Sequence, residues 1–591
     1  MMPAIPDSYK KVPMMFRAQI DGRSQLQRLD SEKRSGKPKE GQLQDVEVWV
    51  DEWVDKAEQI PAQDAQDKQT PVYSAKSYQI SWRFVTNGGQ DDGIIRPVLG
   101  KAGIPFYPGS SMKGAFRNAC EQAEASGVVA AGSTDRYCGK ETDLHPGILR
   151  FLGAYPTNDW TEGLVDLVHP QQGWQVKAVP TNQKPTGESA YALVSLYQPT
   201  LRFAISSNRP LSDAEWQTIW TIWERALSVG LGSKTATGYG QLAQVLSVKP
   251  RKVLYSVSLK GQGQAAKLID GSGEFRHNIF RASLRGHALR LFGGLTDAKT
   301  ADQLVEDLFG GIQSGEPTVG FLGLQFRESK LEIESFGSGS YAQPAYLVEG
   351  KLNWLLNRPL ANANQENALM KLVTNLMRFA MLVGGFGKSW RRADHREFFE
   401  DYYEDSYKAL IGCHWQWLDE QSQLRNTTFA SVERITPFLD NVRAVTCQWM
   451  ELQGITVRSN QWAKDWREAW HPSNVQVWSR LASSAEDSVA VYWFHKPYQP
   501  AIQGVQSEGS IYKKPFTGKI GTISRIIHRM YPVIRLVPDP NSPGKKIPKK
   551  TIKYLEVLTI FPDDSQECRD FLAFLSTNPD EFQQVWGDVK A

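Results

Sequence analysis

Cysteine is scarce in this 591-residue sequence: there are five, an odd number, and no CxxC pair. Scattered as Cys120, Cys138, Cys413, Cys447 and Cys568, they argue against a disulfide framework and a thiolate zinc site, and they fit a reducing compartment. Nine histidines are too few for two near any motif to mean much. No apolar run approaches the ~18 residues needed to span a bilayer, and the opening MMPAIPDSYKKVPMMF lacks the apolar core of a signal peptide. A net charge of +4 is too mild to announce a polyanion partner, so any nucleic-acid reading depends on where the charge sits. Hydrophobic residues at 41% and charged residues at 22% belong to a chain that buries cores, which excludes wholesale disorder and fibrous folds. The expectation is a cytoplasmic, multi-domain protein without a membrane partner.

The chain reads as three stretches: an extension over 1–70, a first domain over 71–250 and a second over 251–591. The extension carries an acidic, tryptophan-bearing piece at 45–60, a candidate tether to a neighbouring protein. From Tyr73 the run YSAKSYQISWRFV alternates as a half-buried strand should. An Asp/Gly loop (Asn87–Gly93) follows, and then IPFYPGSSMKGAFRNA, in which Ser-Ser after Pro-Gly predicts a helix N-cap. GILRFLGAYP and ALVSLYQPTLRFAISS read as strands. LSDAEWQTIWTIWERALSVG reads as an amphipathic helix with Ser212 as N-cap and Gly230 as its stop, ending in the loop LGSKTATGYG.

That order then recurs. LYSVSLKGQGQ is a second strand, IDGSGEFRHN a second Asp/Gly loop and FRASLRGHALR a second helix start, pairing Ser111 with Ser283, Lys113 with Arg285 and Gly114 with Gly286. VGFLGLQF answers GILRFLGA, and the helix ALMKLVTNLMRFAMLVGG leads into GGFGKSWRR, with Lys388 opposite Lys234. The two halves are divergent copies of one domain. A Trp-rich stretch at about 396–508 reads as an insertion in the second copy. The strand-like runs after it are expected to close the second copy's sheet.

A Ser-Ser-x-Lys-Gly helix start offers backbone N–H groups, hydroxyls and a cation to one anion. Lys113 and Arg117 are four apart and share a helix face. Gly-x-Gly-Ser-Lys lacks the spacing of a P-loop, so the glycine-lysine loops suit successive phosphates of a strand better than one triphosphate. IPFYPGSSMKGAFR followed by GLGSKTATGYG resembles the signature of the RAMP superfamily, the backbone subunits of type III CRISPR-Cas effector complexes. Two such domains in one chain are similar to the fused double-backbone subunits of type III-D-like systems. The second copy departs from the pattern, lacking the Pro-Gly and the trailing Gly-Tyr-Gly.

The resemblance implies an α+β chain of two tandem ferredoxin-like (RRM-like) RAMP domains with insertions and an N-terminal extension. It also implies a guide RNA (crRNA) held along a row of backbone subunits, a target RNA, other backbone subunits as partners, and a role in antiviral defence. The RNA-binding candidates are Gly109, Ser110, Ser111, Lys113 and Arg117, with Gly232, Ser233 and Lys234, in the first copy. In the second they are Arg276, Arg281, Arg285, Lys388 and Arg391. The resemblance further implies target-RNA cleavage by an acidic residue of the loop before the helix, hence Asp91 and Asp92 in the first copy and Asp270 in the second, with Glu274 behind it.

That chemistry is intelligible from the residues. RNA carries its own nucleophile, so an endoribonuclease need only bring a 2′-OH in line with the adjacent phosphorus. A carboxylate can orient or deprotonate that hydroxyl while a cation stabilises the phosphorane, giving a 2′,3′-cyclic phosphate. Asp-Gly is equally a favoured turn former, and a purely structural backbone subunit is the alternative. A divalent cation is compatible with the reaction, but no protein site for a metal is evident. His277 and His287 flank the second helix start and could face RNA. Residues 513–553 hold eleven Lys/Arg against one acid, Asp539, interleaved with Phe, Tyr and Ile, which suits a surface tracking phosphates. The eleven tryptophans from Trp354 onward are expected mostly in cores or subunit contacts, with base stacking the alternative.

Overall fold

The computed structural model describes residues 50–588 apart from 52, 56, 58–65, 87, 92–93, 101–102, 141–144, 169–171, 178–190, 245–250, 269–271, 314–315, 338–341, 388–390, 400–411, 427–429, 459, 504–506, 519–522, 543 and 579–580. The architecture is mixed α+β, with three four-stranded antiparallel sheets backed by helices and a fourth, small mixed sheet. The chain divides into two compact units. The first comprises Met1–His169, Ser189–Lys252 and Leu268–Asp270; the second comprises Pro170–Glu188, Val253–Lys267 and Gly271–Ala591.

In the first unit, β1 (Lys68–Thr70), β2 (Tyr73–Gln79), β3 (Leu149–Pro156) and β4 (Thr200–Ser207) form a sheet in the order β1-β2-β4-β3. Helix α1 (Gly109–Ala125) lies between β2 and β3 in sequence, and α2 (Asp213–Ser228) follows β4. Ser212 caps α2 through its side chain, accepting from the Glu215 N–H, and Gly230 takes the left-handed conformation just past the helix end, as an αL stop requires. The buried face of α2 carries Trp216, Trp220 and Trp223, and the Trp220 indole donates to Ser74 Oγ of β2 at 2.8 Å. Trp53 packs into this same core, donating to the Gly103 carbonyl at 2.6 Å and lying 4.8 Å from the Trp160 ring. The 45–60 piece therefore spends its Trp53 inside its own unit instead of offering that ring to a neighbour. Residues 1–49, the rest of the extension, fall outside the described residues.

The second unit holds two sheets. In one, β5 (Val253–Gln264), β6 (Leu322–Phe336), β7 (Gln343–Leu356) and β8 (Cys413–Trp417) run in the order β6-β7-β5-β8, all antiparallel. Helix α3 (Asn278–Gly293) falls between β5 and β6, and α4 (Ala363–Val383) between β7 and β8. After a connecting helix, α5 (Ile435–Leu452), the pattern repeats. The other sheet has β9 (Gln476–Ala482), β10 (Ile526–Pro538), β11 (Lys546–Ile560) and β12 (Gln583–Trp586) in the order β10-β11-β9-β12. A short helix, α6 (Val489–Trp493), follows β9, and α7 (Gln566–Thr577) follows β11.

One sequence expectation is corrected here. The final strands do not close the second copy's sheet, because that sheet is already completed by β8, inside the supposed insertion. Strands β9 to β12 instead build a third sheet with the same strand order and the same strand-helix-strand-strand-helix-strand sequence. The tryptophans serve these cores: Trp354, Trp415, Trp417, Trp449, Trp466, Trp470, Trp478, Trp493 and Trp586 are all buried, which leaves none of these nine rings for a base.

One buried carboxylate ties the second unit together. Glu468, fully enclosed, accepts from Arg290 of α3 at 3.0 Å and from Arg391 after α4 at 2.6 Å, and it also pairs with Arg467. Burial alone would raise the Glu468 carboxyl, but the guanidinium groups of Arg391, Arg290 and Arg467 outweigh it and hold it down to about 2. A carboxyl with a depressed folded-state pKa stabilises the fold above its unfolded value and ceases to do so as pH falls through the folded one. The Glu468 contribution should therefore be complete above about pH 4.5 and fade toward pH 2. Glu468→Gln should cost about 3–5 kcal/mol by leaving three guanidinium groups without their counter-charge, and should flatten stability between those pH values. Thermal unfolding across a pH series checks both.

Candidate nucleic-acid interface

Helix α1 begins without a side-chain cap. Its N-cap is Pro108, and no acidic residue lies in its first turn. Ser110 and Ser111 are thus exposed first-turn residues and not the cap the motif suggested. Gly109 is required by packing: a Cβ there would lie 2.0 Å from the Phe151 carbonyl oxygen of β3. This close approach sets the helix start against the sheet, and Tyr107 and Ala154 pair as a β-bridge beside it.

Ser110, Lys113, Gly114 and Arg117 form one wall of an open cleft. The facing wall is Cys138 with the Gly139–Lys140 and His145–Pro146 pairs of a small hairpin. Arg117 donates to the Gly139 carbonyl at 2.7 Å, bridging the two walls. Lys113 is exposed and has no ion pair among the described residues. Among the described residues the lining holds Lys113, Arg117 and Lys140 and no carboxylate, an arrangement whose field favours an anion. Burial pushes the Cys138 thiol up to about 12, against the pull of Arg117 and Lys113. It is an uncharged wall, not a nucleophile.

Gly114 has no structural reason to be glycine. A Cβ there would meet nothing within 4 Å, and a helix-interior glycine costs roughly 0.5–1 kcal/mol relative to alanine. It leaves the middle of the basic face flat.

The glycine-lysine loop docks on the end of the strand pair that precedes the Asp loop. The Ser233 N–H donates to the Val85 carbonyl at 2.8 Å, and a Cβ on Gly232 (φ +75°) would sit 2.1 Å from that oxygen. Lys234 takes a left-handed conformation, φ 61°, at the start of the turn Thr235–Thr237, and Tyr239 donates to the buried Asp166. Asp166 was not singled out in the sequence, and a lone buried carboxylate leaves no spacing signature there. Past Val85, Gly89–Asp91 and Ile94–Arg96 pair as a hairpin whose last pair is Asp91 with Ile94. Asp91 thus ends a strand close in sequence to the loop's docking point, while Asp92 lies outside the described residues. A two-residue connection is also where Asp-Gly is favoured as a turn former.

In the second unit the corresponding residues are not gathered into such a cleft. Helix α3 starts at Asn278, so Ser283, Arg285 and Gly286 sit in its second and third turns, away from the helix start, and Ser283 and Gly286 are buried. The missing Pro-Gly is the physical reason. Arg391, expected to face RNA, is committed to Glu468, and Arg290, five residues after Arg285 on the same helix, is enclosed beside it. Arg276 pairs with Glu274 at 3.4 Å, and Arg281 donates to the Phe309 carbonyl. Arg285 is half-buried with no ion pair among the described residues. His277 is buried against Glu328 at 2.6 Å. His287 is fully buried, and burial with nearby Arg290 drives its pKa well below the ordinary value. Neither histidine faces solvent. Asp270 and Lys388 lie outside the described residues. Among the described residues no group of three or more His, Cys, Asp or Glu is placed to hold a metal, and no helix is long and apolar enough to cross a membrane.

No protein-family model matches the sequence, and no curated protein does. Among solved structures the chain is similar to the crystal structure of Cmr6 from Pyrococcus furiosus, at 17% identity over 30% of this chain and 99% of that one, with a TM-score of 0.19. It is also similar to a chain of the type III-B Cmr-beta complex bound to cognate target RNA and AMPPnP in the presence of ssDNA. There the identity is 12% over 55% of this chain and 99% of that one, with a TM-score of 0.25.

The flat face of α1 yields a test. Gly114→Ala should raise the stability of the first unit by about 0.5–1 kcal/mol, as helix propensity dictates, and, if a phosphate chain lies along α1, weaken its binding by obstructing the cleft wall. A melting curve and an RNA titration of the same variant check this. A more stable protein that binds RNA as before would show that nothing approaches Gly114.

Proposed function

We propose that the chain is an RNA-binding backbone subunit of a type III CRISPR ribonucleoprotein, holding guide RNA by its phosphates in the first-unit cleft. The observation that carries this is the cleft itself: three cations, an exposed serine and an unobstructed helix glycine, with no carboxylate in the lining among the described residues. A phosphate backbone laid along α1 would meet Lys113 and Arg117 in succession, with contacts that carry no sequence information. The strand orders of the second unit are those a ferredoxin-like unit requires, and the first unit follows the same element order with β1 in the place of a fourth strand. This supports a tandem RRM-like reading, and the head-to-tail surfaces of such units suit an open row of subunits.

The reading includes target-RNA cleavage. In the sequence Asp91 and Asp92 lie in the loop that precedes the α1 helix, where the resemblance puts the group that orients or deprotonates a splayed nucleotide's 2′-OH, and Asp270 has the same place in the sequence of the second copy. Cutting would follow in-line attack and leave a 2′,3′-cyclic phosphate. A structural subunit without cleavage is the second reading. It is favoured by the backbone pairing of Asp91 with Ile94 as the last pair of a hairpin, since Asp-Gly is also a common turn former.

Lys113→Ala is the clean test of the cleft, because Lys113 has no protein ion pair to lose among the described residues. Binding to single-stranded RNA should weaken without regard to sequence. The log-log salt slope should become shallower by about 0.7. An unchanged slope removes the cleft from the RNA path. For cleavage, the assembled complex carrying Asp91→Ala with Asp92→Ala should lose one specific cut in a complementary labelled RNA, and Asp270→Ala should lose another. Losses of roughly 10²–10⁴-fold in rate are expected for a base or positioning group. Retention of every cut with all three changed leaves the structural reading.

A further inference from the structure

The basic stretch that the cleft does not use is divided by the fold into two parts. The inner cations serve the third sheet. Arg525 pairs with Asp563 at 2.9 Å, Arg529 is buried and donates to the Cys413 carbonyl at 2.7 Å, and Lys514 faces Glu567 at 4.0 Å. The outer ones ride on the far half of the β10–β11 hairpin. There the burial of Ile526–Ile534 gives way to exposed residues at 535, and solvent exposure resumes on β11 until Tyr554. Between 535 and 553 stand Arg535, Lys545, Lys546, Lys549, Lys550 and Lys553 against one carboxylate, Asp539. Asp539 accepts from the Asn541 N–H in the tip turn. Among the described residues only Lys550 of the six has a partner, Gln416 at 3.3 Å, with the Tyr554 ring beside it.

The strand register sharpens the anomaly. Arg535 is directly opposite Lys549, and like charges so placed destabilise a hairpin. Strand alternation puts Lys546, opposite Pro538, on the other face. Mere solubility does not demand this. The equivalent hairpin of the neighbouring sheet, β6–β7, is just as long, yet over 328–349 it carries four glutamates and one lysine, with Lys330 paired to Glu332 at 2.9 Å. One hairpin is acidic with an ion pair inside it, and the other accumulates positive charge on both faces. Leu536 and Ile552 stand exposed among the cations, and residues two apart on one strand face are about 6.6–6.8 Å apart, near the spacing of successive phosphates along a strand.

We propose that the β10–β11 arm is a second RNA grip, directed at paired RNA, lying along a groove with a phosphate backbone on either side. Cations on both faces of a ribbon suit two phosphate rows, where a single strand would occupy one. An acidic protein segment would leave the second face unmatched. The proposal rests on RNA being the chain's ligand but not on the α1 cleft.

The test uses the full chain with two probes, a 20-base-pair RNA duplex and one of its strands alone, titrated over a range of salt. The triple variant Arg535→Ala, Lys546→Ala, Lys549→Ala should melt as the wild type does. It should lose roughly 0.9 of log-log salt slope per lost contact on the duplex, about 2–3 in all, with single-strand binding little changed. Lys113→Ala should show the reverse preference. Lys549→Glu, which gives Arg535 a cross-strand partner and so protects folding, should also lose duplex binding. Wild-type duplex binding by both arm variants overturns the proposal and leaves the cleft reading standing, with an acidic protein as the arm's partner. Loss of single-strand binding to an equal or greater extent overturns the duplex assignment. A wild-type chain that binds neither probe overturns the RNA reading and this proposal together.

Discussion

The buried Glu468 carboxylate is the constraint around which the second unit is arranged. Three arginines from separate parts of the chain converge on it, two of them from places where the first copy presents, or its motif suggests, cations to solvent. Charges of this kind are enclosed only when paired, since the desolvation cost of an unmatched guanidinium is several kcal/mol. Once Arg290 and Arg391 close on Glu468, the helix face and the loop that bear them turn inward, and with them the phosphate-gripping option of the second copy. Among the described residues no such carboxylate stands beside Arg117, which donates to the Gly139 carbonyl across an open cleft. In the first unit Lys113 is displayed on α1, whereas in the second Arg290 and Arg391 are enclosed against Glu468, a glutamate from outside both motifs.

The strands and long helices were legible in the sequence because alternation and helical periodicity report on burial directly, as in Tyr73–Gln79 and in α2 with its Ser212 cap. The cleft was legible in part. Four-residue spacing put Lys113 and Arg117 together, but the facing hairpin with Lys140 and His145 belongs to a stretch with no pattern of its own. Matching Ser283 to Ser111 letter by letter was sound as alignment and misleading as geometry. Without Pro-Gly the helix starts earlier, and the same letters move one turn inward. The third sheet was read as the tail of the second because its first strand, Gln476–Ala482, lies in a stretch where tryptophans obscured the period, and because its first helix is a single short turn.

Charge balance separates display from structure more cleanly than charge count. Of the cations between 513 and 553, those near the sheet meet carboxylates or carbonyls, while those on the arm meet almost nothing. Net charge over the whole chain hides this, since the acidic β6–β7 hairpin offsets the basic β10–β11 one.

The strand order of the second unit also dictates how this protein must be made. In both of its sheets the first strand to be synthesised is interior, and one of its edges is covered only by the last strand of that sheet. From the end of β5 at Gln264 to the start of β8 at Cys413, a ribosome adding 5–20 residues per second needs roughly 10–30 s. During that interval the free edge of β5 presents unpaired backbone groups, a template for pairing with another chain. A shorter wait recurs between the end of β9 at Ala482 and the start of β12 at Gln583. Nascent chains of this protein therefore carry an open, apolar strand edge twice in succession, and crowding on a single messenger would bring such edges together before either sheet could close.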